Sequence, residues 1–125
     1  MDEGTSFDLL AASLRADTRD LRAFVEALAT KLEGAFPERV RVERGGRLSG
    51  RRVRSIAVDL GGDSYELEHD DGRVSCRRRN IVRGIALKTD ELDLDAWIDA
   101  LSRDLVDEAE RSERGRTALE RLLGA

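Results

Sequence analysis

The chain has 125 residues and a mass of 13.9 kDa, the size of one domain rather than two. Hydrophobic residues make up 40% of it, in periodic stretches that never reach eighteen in a row, which excludes a disordered chain and a membrane-spanning helix. The acidic start, Met1-Asp2-Glu3-Gly4, lacks the basic-then-apolar order of a signal peptide, and Cys76 is the lone cysteine, so an intrachain disulfide or cysteine-based metal cluster drops out. The expected compartment is the cytoplasm.

Charge is unevenly spread around a net −4. Residues 1–37 carry 4 basic and 7 acidic side chains, residues 38–88 carry 13 and 8, and residues 89–125 carry 5 and 11. A basic middle thus lies between acidic ends. Of the 22 basic residues, 20 are Arg, with Lys only at 31 and 88. An Arg bias in every segment reads as coding composition rather than guanidinium chemistry at one site.

Residues 6–33 read as one amphipathic helix. Phe7, Leu10, Leu14, Leu21, Phe24, Val25, Leu28 and Leu32 recur at three- and four-residue steps between charged residues. Thr5 or Ser6 suits the N-cap, Gly34 the left-handed residue after the end, and Pro37 forbids continuation. From Arg39 the period changes to two, with Val40 and Val42 alternating with charge. Arg44–Gly50 reads as a loop, and Ile56, Val58 and Leu60 share a strand face before Gly61-Gly62-Asp63 turns the chain. Val53 falls out of phase, which predicts a bulge or a late strand start.

Asp71-Gly72 is the dipeptide of a type I′ hairpin turn. A two-residue loop there pairs His69 with Val74, Leu67 with Cys76, Glu66 with Arg77 and Tyr65 with Arg78. Tyr65, Leu67, Val74 and Cys76 then share one face. A further strand is expected to carry Ile81, Ile85 and Leu87 on one face. Asp93 caps a last, long helix whose stripe runs Leu94, Trp97, Ile98, Leu101 and Leu105, fades, and resumes at Leu119, Leu122 and Leu123. Gly115 marks a kink or break within it. Either the segment after it folds back over the same core, or its leucines meet another chain. The pattern predicts a single α+β domain, an antiparallel β-meander of about five strands covered by an N-terminal and a long C-terminal helix, in the order α-β-β-β-β-β-α. Residues 116–125 stand out as a segment that can dock separately.

No motif supplies an active site. Walker, dinucleotide-binding and nucleophile-elbow patterns are absent from the sequence. His69 stands among Glu66, Glu68, Asp70 and Asp71, but strand alternation turns both glutamates to the other face, and the aspartates belong to the turn. Cys76 opposite Leu67 reads as a core thiol, although Arg77, Arg78 and Arg79 would lower its pKa. No catalytic residue, cofactor or metal is therefore expected. The favoured function is a protein-interaction module (adaptor, chaperone-like or assembly subunit), as a homodimer or with another protein. Its candidate partner-binding residues are Leu119, Leu122, Leu123, Arg77, Arg78 and Arg79. Nucleic-acid binding by the Arg-rich sheet is the alternative, and an enzyme built around His69 the third; no membrane is implied.

The expected core sets Ile56, Val58, Leu67, Val74 and Ile85 beneath Leu21, Leu28, Leu101 and Leu105. Leu101→Ala should lower stability by roughly 2–5 kcal/mol, as large-to-small core changes do. Chemical denaturation checks it, and wild-type stability would show that the helix presents another face.

Overall fold

The one apolar face of the sheet dictates the architecture, because each strand offers alternate side chains to a single side. The computed structural model describes residues 8–12, 20–46, 50–70 and 72–124. Five antiparallel strands, β1 (Val40–Arg44), β2 (Val53–Asp59), β3 (Asp63–Asp70), β4 (Arg73–Val82) and β5 (Ile85–Leu92), pair in chain order as a meander. Helices α1 (Leu21–Ala35), α2 (Leu94–Arg111) and α3 (Glu113–Leu122) accompany it, and residues 8–12 are also helical. The fold is α+β, as the sequence pattern predicts.

The first helix differs from expectation. Asp20 is extended (φ −106°, ψ 97°) and accepts a hydrogen bond from the Ala23 amide, so α1 begins afresh at Leu21. The helical turn at 8–12 is a separate piece that adds Leu10 to the core; Thr5, Ser6, Phe7 and Leu14 lie outside the described residues. Gly34 is inside α1, and Phe36 forms the C-cap by donating its amide to the Leu32 carbonyl at 2.9 Å. Pro37 follows at once.

The out-of-phase Val53 is a bulge. Glu43 opposes Ser55 while Arg44 opposes Val53, leaving Arg54 as the extra residue. Glu26 of α1 accepts the Val53 amide at 2.7 Å and pairs with Arg44 at 3.1 Å, which ties that helix to the sheet. The hairpin at 71–72 has the predicted register throughout. Asp71 itself lies outside the described residues.

The last hairpin was misread from sequence. Arg83 (φ 52°) and Gly84 (φ 79°) both adopt the left-handed conformation of a two-residue turn, so Ile81 belongs to the end of β4 while Ile85 and Leu87 open β5. Leu87 is the extra residue of a second bulge, since Asn80 opposes Lys88 but Ile81 opposes Ala86. Ile81 and Ile85 therefore take opposite faces. Ile85 is 64% exposed rather than in the core, because the hairpin outruns the helices. Ile56, Val58 and Leu67 are buried with Leu28, Leu101 and Leu105, while Leu21 and Val74 are partly exposed.

The long C-terminal helix breaks at Ser112, three residues before the glycine. Ser112 is extended (φ −150°, ψ 152°), sends its amide to the Glu108 carbonyl and caps α3 by accepting from the Gly115 amide at 3.0 Å. Residues of α3 then fold back on α1 and α2, and Ala118, Leu119 and Leu122 join the core. Gly115 makes that return feasible. A Cβ there would stand 2.4 Å from the Glu108 carbonyl oxygen, which is fixed backbone. Gly115→Ala should cost roughly 1–3 kcal/mol by overpacking, even though Ala is the better helix former. Urea unfolding measures it, and a stabilised variant would refute the close approach.

Candidate interaction surface

Alternation scatters the arginines. Arg77 and Arg79 lie on the face away from the helices, where Arg77 meets Glu68 at 2.5 Å and Arg79 Nε stands 2.8 Å from Glu66 as an ion pair. Arg78 points the other way, holds Asp63 at 2.7 Å and lies 5.8 Å over the Tyr65 ring. The triplet is therefore not one patch. By register, Arg41, Arg73, Arg77 and Arg79 share the outer face with Glu43, Asp59, Glu66, Glu68, Asp70 and Glu91. Carboxylates outnumber guanidiniums there, the reverse of an electrostatic footprint for phosphates.

Beneath α2 lies a polar cluster with displaced pKa values. The Tyr65 hydroxyl donates to Asp104 and approaches the Ala100 carbonyl at 3.3 Å. Burial, then the hydrogen bond to Asp104 and that group's charge, pushes the Tyr65 phenol far up, so it stays protonated as a donor. Burial also raises Asp104, and the Asp63 charge adds to this against the Tyr65 bond and the Arg78 charge. Burial works on Asp63 in the same direction, but hydrogen bonds from Arg78 and Asn80 outweigh it and hold that carboxyl below its ordinary range. Trp97 completes the clasp, edge-on to Tyr65 at 6.4 Å with its indole N–H on the Arg77 carbonyl at 3.2 Å. These groups serve the sheet–helix joint rather than a cleft. Their signal was present in the sequence as a tyrosine on the strand face that a helix must cover.

The other sequence candidates scatter. Burial, then the charge of Asp93, pushes the Cys76 thiol up to about 12, opposite to what neighbouring arginines would do; Arg77 and Arg79 project from the other face. The thiol is inert. A shallow hollow of about 410 Å³ gathers His69 with Glu43, Arg44, Arg54, Ser55, Glu68 and Asp70. Strand alternation alone did not foresee this; the bulge at Arg54 and the strand ends bring the groups together. Among the described residues, no set of three metal-ligating side chains forms around His69. Leu119 and Leu122 are buried in the chain's own core and Leu123 packs against it, so the fold-back alternative describes them.

The exposed apolar side chains lie elsewhere. Apart from Leu9, those among the described residues are Val82, Ile85 and Leu87, 43%, 64% and 65% exposed, at the tip end of the β4–β5 hairpin. The two sheet edges also differ. β1 is short and charged, a usual protection of an edge strand, whereas β5 is longer and opens with an apolar run, its ladder interrupted at the extra residue Leu87. Nothing in local sequence marks an edge, because edge position depends on the completed pairing order. No protein-family model matches the chain, and comparisons with curated proteins and with solved structures find no match.

The clasp predicts a pH signature. Asp104 binds its proton more tightly folded than unfolded, so the stability its charge withholds at neutral pH is regained as pH falls through the raised folded pKa. Asp104→Asn should therefore be more stable than wild type at pH 7, with the gap closing on acidification. Tyr65→Phe should cost about 1–3 kcal/mol by leaving Asp104 without its donor. Denaturation at stepped pH reads both, and a gap that widens with acid would contradict the assignment.

Proposed function

We propose that this chain is a non-catalytic protein-interaction module, an adaptor or assembly subunit, which docks a polypeptide along the open edge of β5. The observation that carries it is the exposure of Val82, Ile85 and Leu87 at an edge strand whose outer amides pair with nothing among the described residues. Exposed apolar side chains beside free backbone donors and acceptors are what strand addition uses: main-chain bonds supply affinity and alternate side chains supply selectivity. A cytosolic setting fits the single buried thiol. The nucleic-acid reading loses its stripe once Arg77 and Arg79 sit with Glu68 and Glu66.

A photo-reactive side chain placed at Leu87 in the full chain, in its native cells, should give one discrete covalent product with a polypeptide. The same group at Arg41, on the opposite edge, should give none, and Ile85→Asp should abolish the Leu87 product. Equal labelling from both edges, or no product at all, would retire the docking surface.

A further inference from the structure

The sequence of β5 limits how it could pair with a second copy of itself. The strand reads Ile85-Ala86-Leu87-Lys88-Thr89-Asp90-Glu91-Leu92. When a strand pairs antiparallel with an identical strand, a two-fold axis relates them. Outward-pointing amides alternate, so the axis must pass through a residue rather than between two. With the axis at Thr89, Lys88 of each chain faces Asp90 of the other, and the regular overlap runs from Leu87 to Glu91, stopping at the bulge. An axis at Lys88, Asp90 or Glu91 sets like charges opposite one another, which is destabilising. An axis at Leu87 falls on the bulged residue, where the ladder is disrupted, and shortens the overlap. Only the Thr89 register satisfies charge and length together. Lysine on an edge strand normally deters undirected pairing; here it discriminates between registers.

The same register accounts for the hairpin tip. Cys76, Arg78, Asn80 and Val82 alternate on the helix-facing side of β4, and Ile85 opposes Val82, so this end of the tip projects past its own helices on their side of the sheet. Residues directly opposite in an antiparallel pair point to the same face, which puts both helix layers on one side of a continuous sheet. The tip of one copy then lies beside the other copy's β5 end, where α2 begins and Leu92 and Leu94 are only partly buried. Apolar surface that the chain does not cover meets apolar surface that it also leaves open.

We infer that two copies of this chain pair β5 against β5, antiparallel about Thr89, with Lys88 of each opposite Asp90 of the other and each hairpin tip against the second copy's Leu94. This rests on the docking surface proposed above and names its occupant. Within one chain Lys88 and Asp90 are 3.8 Å apart and largely solvent-facing, so both remain available for the exchange.

Light scattering on the full chain at high micromolar concentration should give twice the 13.9 kDa chain mass. Lys88→Asp and Asp90→Lys should each be monomeric, since each places like charges across the axis. An equal mixture of the two variants should recover a dimer, because unlike charges again face each other while neither chain regains its internal pair. Thr89→Cys should form a disulfide-linked dimer under mild oxidation, opposed Cα atoms being about 4.5–5.5 Å apart, whereas Arg41→Cys should not. A monomeric wild type, a mixture that stays monomeric, or a Thr89→Cys chain that fails to cross-link would overturn self-pairing. If the wild type is monomeric while the Leu87 photo-product joins a different polypeptide, self-pairing falls and the docking surface stands. If no photo-product forms either, both fall.

Discussion

One-sided burial is the constraint on which the structure depends. Ile56, Val58, Tyr65 and Leu67 point to one face of the meander and are sealed by Trp97, Leu101, Leu105 and the α1 stripe. Because a strand's side chains alternate, burying that set commits every intervening residue to the open face. The Glu66–Arg79 and Glu68–Arg77 pairs, the small residues Ser55, Ala57 and Ser64, and the exposed carboxylates all follow from that commitment. Charge pairs at such partly exposed sites contribute little each, so their role is to keep a flat polar face wet and discriminating.

Closing the covered face requires bonds as well as grease. Tyr65 would bury a hydroxyl under α2 and Trp97 an indole N–H, and each finds an acceptor, Asp104 and the Arg77 carbonyl. Glu26 does the same at the other end by taking the Val53 amide beside the bulge. Each helix is thereby held to the sheet at a chosen place. The return of α3 over the core completes the cover, and it depends on Gly115 lying against the Glu108 carbonyl.

The sheet is longer than the helices above it. β4 and β5 run on to the Arg83-Gly84 turn, beyond the reach of α2, and leave Val82, Ile85 and Leu87 in solvent. This mismatch, rather than any polar constellation, sets the hairpin end apart. The His69 hollow gathers charged groups of both signs, brought together by the bulge at Arg54 and the strand ends. An edge that offers both apolar side chains and unpaired amides has the ingredients of association in one place.

Where turn and cap residues are of types that fix their own backbone, the sequence was sufficient. The Asp71-Gly72 turn, the alternation of Tyr65 and Leu67 with Glu66 and Glu68, and the Asp93 cap determined β3, β4 and the start of α2, including their register. The bulge before Ile56 was visible as a valine out of phase. Periodicity failed where two different endings share one pattern. Arg83-Gly84 turned a strand face into a hairpin because a non-glycine residue accepted a left-handed conformation that its type does not advertise. The C-terminal leucines read equally as core or as interface, and only the backbone return at Ser112–Gly115 placed Leu119 and Leu122 inside. Whether Arg77, Arg78 and Arg79 form a patch was settled by pairing across strands, and whether Ile85 is covered by how far a helix extends. Strand period and turn chemistry are short-range and legible in a chain; edges, cover and exposure belong to the assembled layers and exist only once the chain has folded.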